Sequence, residues 1–416
     1  MNYYIKKIHI NNLFHLRNID IPIANEKAPH LIITGKNGSG KTVLLNAIAD
    51  FLDSIKNDTT LEFTKVGEKY DQVRKALSDS DVSNDEYKLM DIKNSFISYT
   101  QYIRQIYGKV KLDFLNIAEL INDYQKGDFI IAFYEAARKV KMVEPNNPTK
   151  PVLANHAPIR KTSTDQFLNF LSDLKIQEAL ARNENQIKDA DEINKWFIDF
   201  TEILHQIFQD NDLHLKFNYR DYSFRILSQG KEFKFTELSD GYAAILDIVV
   251  DLILKMQSKN SLTRAYKKKG IVLIDEVETH LHLEMQKMIM PILTKVFPNI
   301  QFIVTTHSPF VLNSLENAVA YDLEHQEVIS DLPQYSYEAL AEGYFGVSSE
   351  SSYMKMQLEK LANLLQKGKL TDSDKYEIRL LIADLDKVPE SVSPNIVGDY
   401  FAIKTKYASV IKSVLA

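Results

Sequence analysis

Residues 30–42 read His-Leu-Ile-Ile-Thr-Gly-Lys-Asn-Gly-Ser-Gly-Lys-Thr, and VLLNAIADFLDSI follows at once. The apolar run is that of a strand buried on both faces, and the segment after Thr42 repeats its apolar residues at helical spacing. A chain built this way must carry Gly35-Lys36-Asn37-Gly38-Ser39-Gly40-Lys41-Thr42 from the end of a buried strand into the start of a helix. That string fits G-x-x-x-x-G-K-[ST]. Glycines let successive backbone N–H groups wrap phosphate oxygens, and the helix start adds partial positive charge. Lys41 is placed for the β- and γ-phosphates of a nucleotide, and Thr42 for its Mg²⁺.

Two further segments fit the same sheet. Lys269-Gly270-Ile271-Val272-Leu273-Ile274-Asp275-Glu276 is a basic turn, four apolar residues and two carboxylates. Such a strand delivers its acids to the carboxyl edge, where ligands of open α/β sheets bind. Asp275 suits Mg²⁺ and its water, and Glu276 suits orienting or deprotonating an attacking water. Gln301 to Thr305 is another apolar strand, running into Thr306-His307-Ser308-Pro309, with His307 32 residues after Asp275. That interval holds one strand, helix and strand, and brings His307 towards the γ-phosphate or the attacking water. Leu238-Ser239-Asp240-Gly241 opens a helical pattern, Tyr242 to Met256. In isolation Ser-x-Gly is an ordinary helix start.

In this order, glycine-rich loop, long insertion, L-S-x-G, acid pair and histidine resemble the ABC-type ATPases, particularly the soluble branch of SMC, RecF and OLD proteins. The resemblance implies an α/β ABC-type P-loop core with a helical insertion and a helical C-terminal region, and ATP with Mg²⁺ as its ligands. It implies that Ser239 and Gly241 grip the γ-phosphate of ATP held by a second copy, so that nucleotide bridges a dimer. Glu278-Thr279-His280-Leu281-His282 looks like that family's D-loop, with Glu278 and His280 as its polar residues. NLFHLRNIDI, HLIITGKNGSGKT, FIIAFYEAAR, the Trp196-Phe197 helix and FTELSDGYAAILDIVVDLI are similar to prokaryotic AAA-family ATPases encoded beside HNH nucleases in Septu and retron-associated anti-phage defence. This implies a sensor or regulatory subunit that controls a partner HNH nuclease and contacts DNA or another nucleic acid. A RecF- or SMC-like repair ATPase without a nuclease partner is the alternative. An ABC transporter subunit fits poorly, because too much sequence is inserted and appended. One departure is the lack of a clear Q-loop glutamine after the Phe129 to Tyr134 strand, and Arg138 is the candidate to face the nucleotide there.

Composition sets limits on the rest. The 416 residues, 45% apolar and 25% charged, allow two or three domains. A net charge of −6 excludes a wholesale polybasic binder and leaves only local basic strips, for which Lys109, Lys111, Arg138, Lys139 and Lys141 are candidates on the insertion. With no cysteine, thiolate chemistry and disulfides are excluded. Ala243 to Leu254, the most apolar window, is broken by Asp247 and Asp251 and falls short of the ~20 residues of a membrane span. The expected location is the cytoplasm. His280-x-His282 lacks the further ligands of a metal site.

The expected organisation is an N-terminal core part over 1–56, a mostly helical insertion over 57–212 with a core strand near 128–138, a second core part over 213–330 and a helical partner-docking region over 331–416. Leu213 to Phe235 alternates as a strand meander. In the tail, Tyr353, Met356, Leu358, Leu361 and Leu365 form a stripe that packs partly inward and partly against a partner. Leu380 to Asp386 superficially supplies the Asp-x-Asp of an OLD-type nuclease. Tyr376, Leu380, Ala383 and Leu385 instead fall at the spacing of an amphipathic helix, which argues against a built-in nuclease.

Overall fold

A computed structural model describes residues 4–23, 29–58, 62–77, 86–138, 142–145, 158–257, 267–329, 332, 335–345, 352–389 and 394–415. The chain divides into two units, 1–337 and 338–416. The first begins with strands β1 (Ile5–Leu13), β2 (Leu16–Pro22) and β3 (His30–Thr34), then helices α1 (Lys41–Ile55), α2 (Glu62–Leu77) and α3 (Glu86–Tyr107). Strand β4 (Val110–Phe114), α4 (Ile117–Lys126) and β5 (Phe129–Tyr134) follow. Next come α5 (Phe167–Asn183), α6 (Ile187–Phe208), β6 (His214–Asn218), β7 (Ser223–Ser228), β8 (Lys231–Lys234) and α7 (Asp240–Met256). The unit closes with β9 (Lys269–Ile274), α8 (Leu283–Val296), β10 (Ile300–Thr305), α9 (Pro309–Leu312), β11 (Ala318–Asp322) and β12 (Glu327–Ile329).

The central sheet has the order β12-β11-β3-β10-β9-β5, parallel except for the β11–β12 hairpin. Strands β3, β5 and β10 are buried at every residue, as runs of Ile, Val and Phe require when helices cover both faces of a parallel sheet. A second sheet, β2-β1-β4, packs with α1 into one core that includes Ile8, Ile10, Leu44, Ile48 and Leu112. The third sheet is the expected meander, β6-β7-β8, with turns at 219–222 and 229–230.

Strand β4 departs from the helical reading of 57–212. Its five residues alternate buried and exposed and pair antiparallel with β1, so this stretch completes a core sheet between two helices. Two residues of the expected basic strip lie at this strand. Lys109 and Lys111 flank and enter β4, where their ammonium groups lie 4.0 Å from Asp50 and 3.9 Å from Asp113. Lys139 and Lys141 fall outside the described residues.

The second unit takes up α10 (Tyr337–Phe345), which starts at the boundary, and adds α11 (Ser352–Leu365), α12 (Asp372–Leu385), α13 (Pro394–Lys406) and α14 (Ala408–Leu415). Leu358, Leu361 and Leu365 enter its core, whereas Tyr353 and Met356 of the same stripe are 57% and 60% exposed. In α12 the inward face is Ile378, Leu381, Ile382 and Leu385, so Tyr376 and Leu380, expected on the apolar side, face solvent. Asp386 follows the last turn of α12, bonded by Tyr400 and Lys404, and not the end of a strand. Among the described residues no helix is long and apolar enough to cross a membrane.

One titrating group is built into the central sheet. His30 is buried between strands, and its Nδ1 accepts a bond from the Phe302 N–H at 3.2 Å, so the ring must be neutral. Burial pulls its pKa down to about 4 from the ordinary 6.5. A depressed histidine contributes stability that is present above pH 6.5 and lost as pH falls towards 4, at most about 3 kcal/mol. Denaturant unfolding between pH 7 and 4 should therefore show a shallower loss for His30→Asn than for the wild type. Parallel curves would show that His30 does not carry this dependence.

Candidate nucleotide-binding site

The glycine-rich turn between β3 and α1 takes backbone angles that side chains resist: φ is 133° at Gly35, 84° at Gly38 and 100° at Gly40. A Cβ on Gly35 would stand 2.9 Å from Ser39 Oγ, whereas at Gly38 it would meet nothing within 4 Å, which leaves the middle of the cradle open. Lys41 is buried, and its Nζ donates to the carbonyls of Gly35 at 2.6 Å and Lys36 at 3.1 Å. Burial lowers the pKa of this ammonium, opposed by Glu276, Glu278 and Asp275. Thr42 follows Lys41 in the first turn of α1.

Sheet register brings the acid pair to the same edge. Val304 pairs with Ile32 on one side and Ile274 on the other, so the residues beyond them become neighbours. Thr305 Oγ1 donates to Asp275 Oδ1 at 2.6 Å and accepts from the Glu276 N–H at 2.8 Å. Asp275 is buried; Glu276 turns outward with φ 44°, a left-handed conformation costing roughly 1–2 kcal/mol. His307 Nε2 lies 4.0 Å from Glu276 Oε1, beyond direct bonding and within reach of one shared water. Burial, then the Lys41 charge, push the His307 pKa down, which keeps the ring neutral.

Glu278, expected in the D-loop, braces the histidine turn: its carboxylate accepts from the His307 N–H at 2.5 Å and the Thr306 hydroxyl at 2.8 Å. Burial raises its pKa. His280 is exposed and left-handed, φ 68°. Ser239 stands at the N-cap of α7, yet its side chain makes no capping bond, and both it and Asp240 are exposed. Gly241 is buried because a Cβ there would come within 2.9 Å of Met285 Sδ and 3.3 Å of the His280 carbonyl. Signature and D-loop segments thus pack on each other.

Arg138 is the residue expected to face the nucleotide. Its guanidinium donates to the backbone carbonyls of Asp275 at 3.3 Å and Glu276 at 3.5 Å. Two other contributors carry no sequence motif. Glu324, in the β11–β12 turn, accepts from Lys36 Nζ at 2.9 Å and from its backbone N–H at 3.3 Å. At the β1–β2 tip, Phe14 is 74% exposed with φ 57°, and the His15 ring would lie 3.7 Å from a Cβ on Gly40. The only hint for either was its position in a hairpin turn.

The open cradle with a lysine on its wall suits nucleotide phosphates, and the Thr42 hydroxyl with the Asp275 carboxylate forms the hard oxygen set that suits Mg²⁺. The family described as "AAA domain, putative AbiEii toxin, Type IV TA system" matches residues 125–313. A Septu protein PtuA of Bacillus mycoides is 26% identical over 92% of this chain and 50% of its own length, so the chain spans half of that relative. The Retron Vc95 probable ATPase of Vibrio cholerae is 22% identical over 81% of this chain and 77% of its own length. The DNA replication and repair protein RecF of Rickettsia typhi is 23% identical over 76% of this chain and 97% of its own length. Motif order and strand order agree on an α/β P-loop core, and the relatives it resembles include a probable ATPase.

Thr305 joins the two motif strands at one buried hydroxyl. Thr305→Val should leave the Glu276 N–H and Asp275 Oδ1 short of a partner, costing about 1–3 kcal/mol in denaturant unfolding. The Mg²⁺ dependence of nucleotide affinity should weaken with it. Unchanged stability and unchanged Mg²⁺ dependence would remove Thr305 from the site's support.

Proposed function

We propose that this ABC/AAA-type ATPase hydrolyses ATP at sites shared between two copies of the chain, as the sensor or regulatory subunit of a cytoplasmic anti-phage defence complex. What carries the hydrolytic reading is convergence: Glu276 and His307, 4.0 Å apart, stand at the sheet edge whose charges act on Lys41. The glycine-loop amides of residues 35–42 and Lys41 bind the phosphates. Thr42 and Asp275 would hold Mg²⁺, which when bound would neutralise phosphate charge. Glu276 takes a proton from water as the water oxygen attacks the γ-phosphorus. The bond to the β–γ bridging oxygen breaks, and ADP leaves with the electron pair. Neutral His307 hydrogen-bonds the attacking water or a γ-phosphate oxygen. A general base of this kind typically contributes 10²- to 10⁴-fold in rate.

Sharing of the site rests on Ser239, whose exposed hydroxyl has no capping role and is free to meet the γ-phosphate of a second copy together with the Gly241 backbone. His280 on the adjacent D-loop segment would lie in the same contact. The defence role is supported by likeness to a Septu PtuA and a retron ATPase, and the effector controlled would be an HNH nuclease, with DNA or another nucleic acid as the signal. The second unit keeps Tyr353 and Met356 exposed on α11 while burying Leu358 and Leu361, which suits it to hold that partner. Likeness to a RecF protein keeps DNA repair without a nuclease as the second reading.

The test is Glu276→Gln. Its turnover should fall by roughly 10²-fold or more while ATP binding persists, and ATP should now accumulate a dimer in light scattering. The neighbouring gene product should co-purify with the full chain and less with residues 1–337. Unchanged turnover would remove Glu276 from catalysis, and equal capture by the truncated chain would remove the second unit from docking.

A further inference from the structure

A buried chain of polar groups connects α7 to the acid pair, and the hydrolytic reading leaves it unused. Asp247 and Asp251 lie one turn apart on α7 and are buried, at 2% and 0% exposure. Asp251 is fully partnered: it accepts from Tyr134 OH at 2.7 Å, the Ser163 N–H at 2.7 Å and Lys255 Nζ at 2.5 Å. Tyr134 ends β5, and its carbonyl accepts from the Asp275 N–H at 2.8 Å. This first link therefore runs from α7 through one tyrosine to the backbone of the metal-site acid.

The second link is incomplete. Asp247 accepts from the Thr164 hydroxyl, but its Oδ1 has no partner among the described residues. Arg138, next to it, uses Nη1 and Nη2 on the carbonyls of Asp275 and Glu276, while its Nε is buried with no partner among the described residues. Asp247 is the leading charge acting on Arg138, and burial has pushed the Asp247 pKa up to about 6. Two buried, oppositely charged groups each leaving one atom unsatisfied are costly at rest, because an unmade buried bond forfeits about 1–3 kcal/mol.

Arg138 also acts where the backbone is least comfortable. Glu276 is held left-handed, and the planar guanidinium fork meets two consecutive carbonyls of this turn with two separate nitrogens in one fixed geometry, Asp275 through Nη1 and Glu276 through Nη2. We propose that Arg138 is a positioning residue that sets the orientation of Glu276 from behind, and that Asp247 couples this setting to the placement of α7, the helix that begins at the signature Ser239. Engagement of Ser239 by a second copy moves α7, Asp247 draws on the Arg138 Nε, and the Glu276 turn is adjusted at the moment the composite site closes. The coupling rests on the hydrolytic reading of Glu276.

Steady-state turnover and nucleotide affinity of the full chain, with unfolding followed in parallel, test it on Arg138→Gln, Arg138→Lys, Asp247→Asn and Glu276→Gln. Arg138→Gln should lower kcat roughly 10- to 100-fold with ATP affinity changed less than about two-fold, the signature of a displaced group that does not touch nucleotide. Arg138→Lys should recover part of the loss, having charge without the fork. Asp247→Asn leaves Arg138 in place and should lower kcat less; combined with Arg138→Lys the losses should be less than additive. Should Arg138→Gln fail to fold, the Lys and Asn variants carry the test alone. Equal falls in affinity and kcat would overturn the proposal by making Arg138 a nucleotide contact, and unaltered kcat or full additivity would overturn it too. If Glu276→Gln itself retains turnover, the hydrolytic reading fails instead, and the two failures are told apart.

Discussion

Val304 pairs with Ile32 and Ile274 at once, and this one register decides where the chemistry stands. Beyond it, the glycine loop, the Asp275-Glu276 pair and the Thr306-His307 turn leave the sheet at a single edge. The Thr305 hydroxyl then ties Asp275 and the Glu276 backbone together across the strands. A slip of one residue in a parallel strand buried on both faces would reverse every side chain and separate these groups. The continuous apolar character of β3, β9 and β10 is therefore a condition for the site as well as for the core.

Around that edge the supporting contacts are carboxylates used as struts. Glu278 holds the histidine turn, Glu324 holds Lys36, and Asp251 holds Tyr134. Glu278 and Asp251 are paired with N–H or O–H donors at short range, as acids withdrawn from water must be to offset desolvation, whereas Glu324 makes its contact at the surface. Among the described residues Asp247 Oδ1 has no partner, and Arg138 Nε, Trp196 Nε1 and Gln257 Oε1 share that condition; the Asp247 charge acts on Arg138.

Much of the fold was legible because the glycine loop and the apolar runs at 30–34, 129–134, 271–274 and 301–305 constrain a parallel α/β sheet strongly. Strand β4 was not: VKLDF is five residues long, stands between two helical stretches and finds its partner β1 about a hundred residues earlier, a contact no local pattern encodes. In the tail, helix α12 was recognised but its inward face was not, because Tyr376 and Leu380 resemble core residues until Ile378 and Leu381 claim the interior. In the site, the motif residues were readable from their order, whereas the bracing role of Glu278 and the rearward position of Arg138 depend on loops whose course sequence spacing leaves free.

The central claim is that ATP binds between the glycine loop of one copy and the signature of another. The chain has no cysteine, so Asn37→Cys and Asp240→Cys, both at exposed positions, can be made separately in a Glu276→Gln background and mixed. The account predicts a disulfide-linked dimer containing one of each variant, formed with ATP and Mg²⁺ and absent without nucleotide. Under conditions where ATP is bound, failure of the mixed pair to crosslink above either variant alone would contradict it.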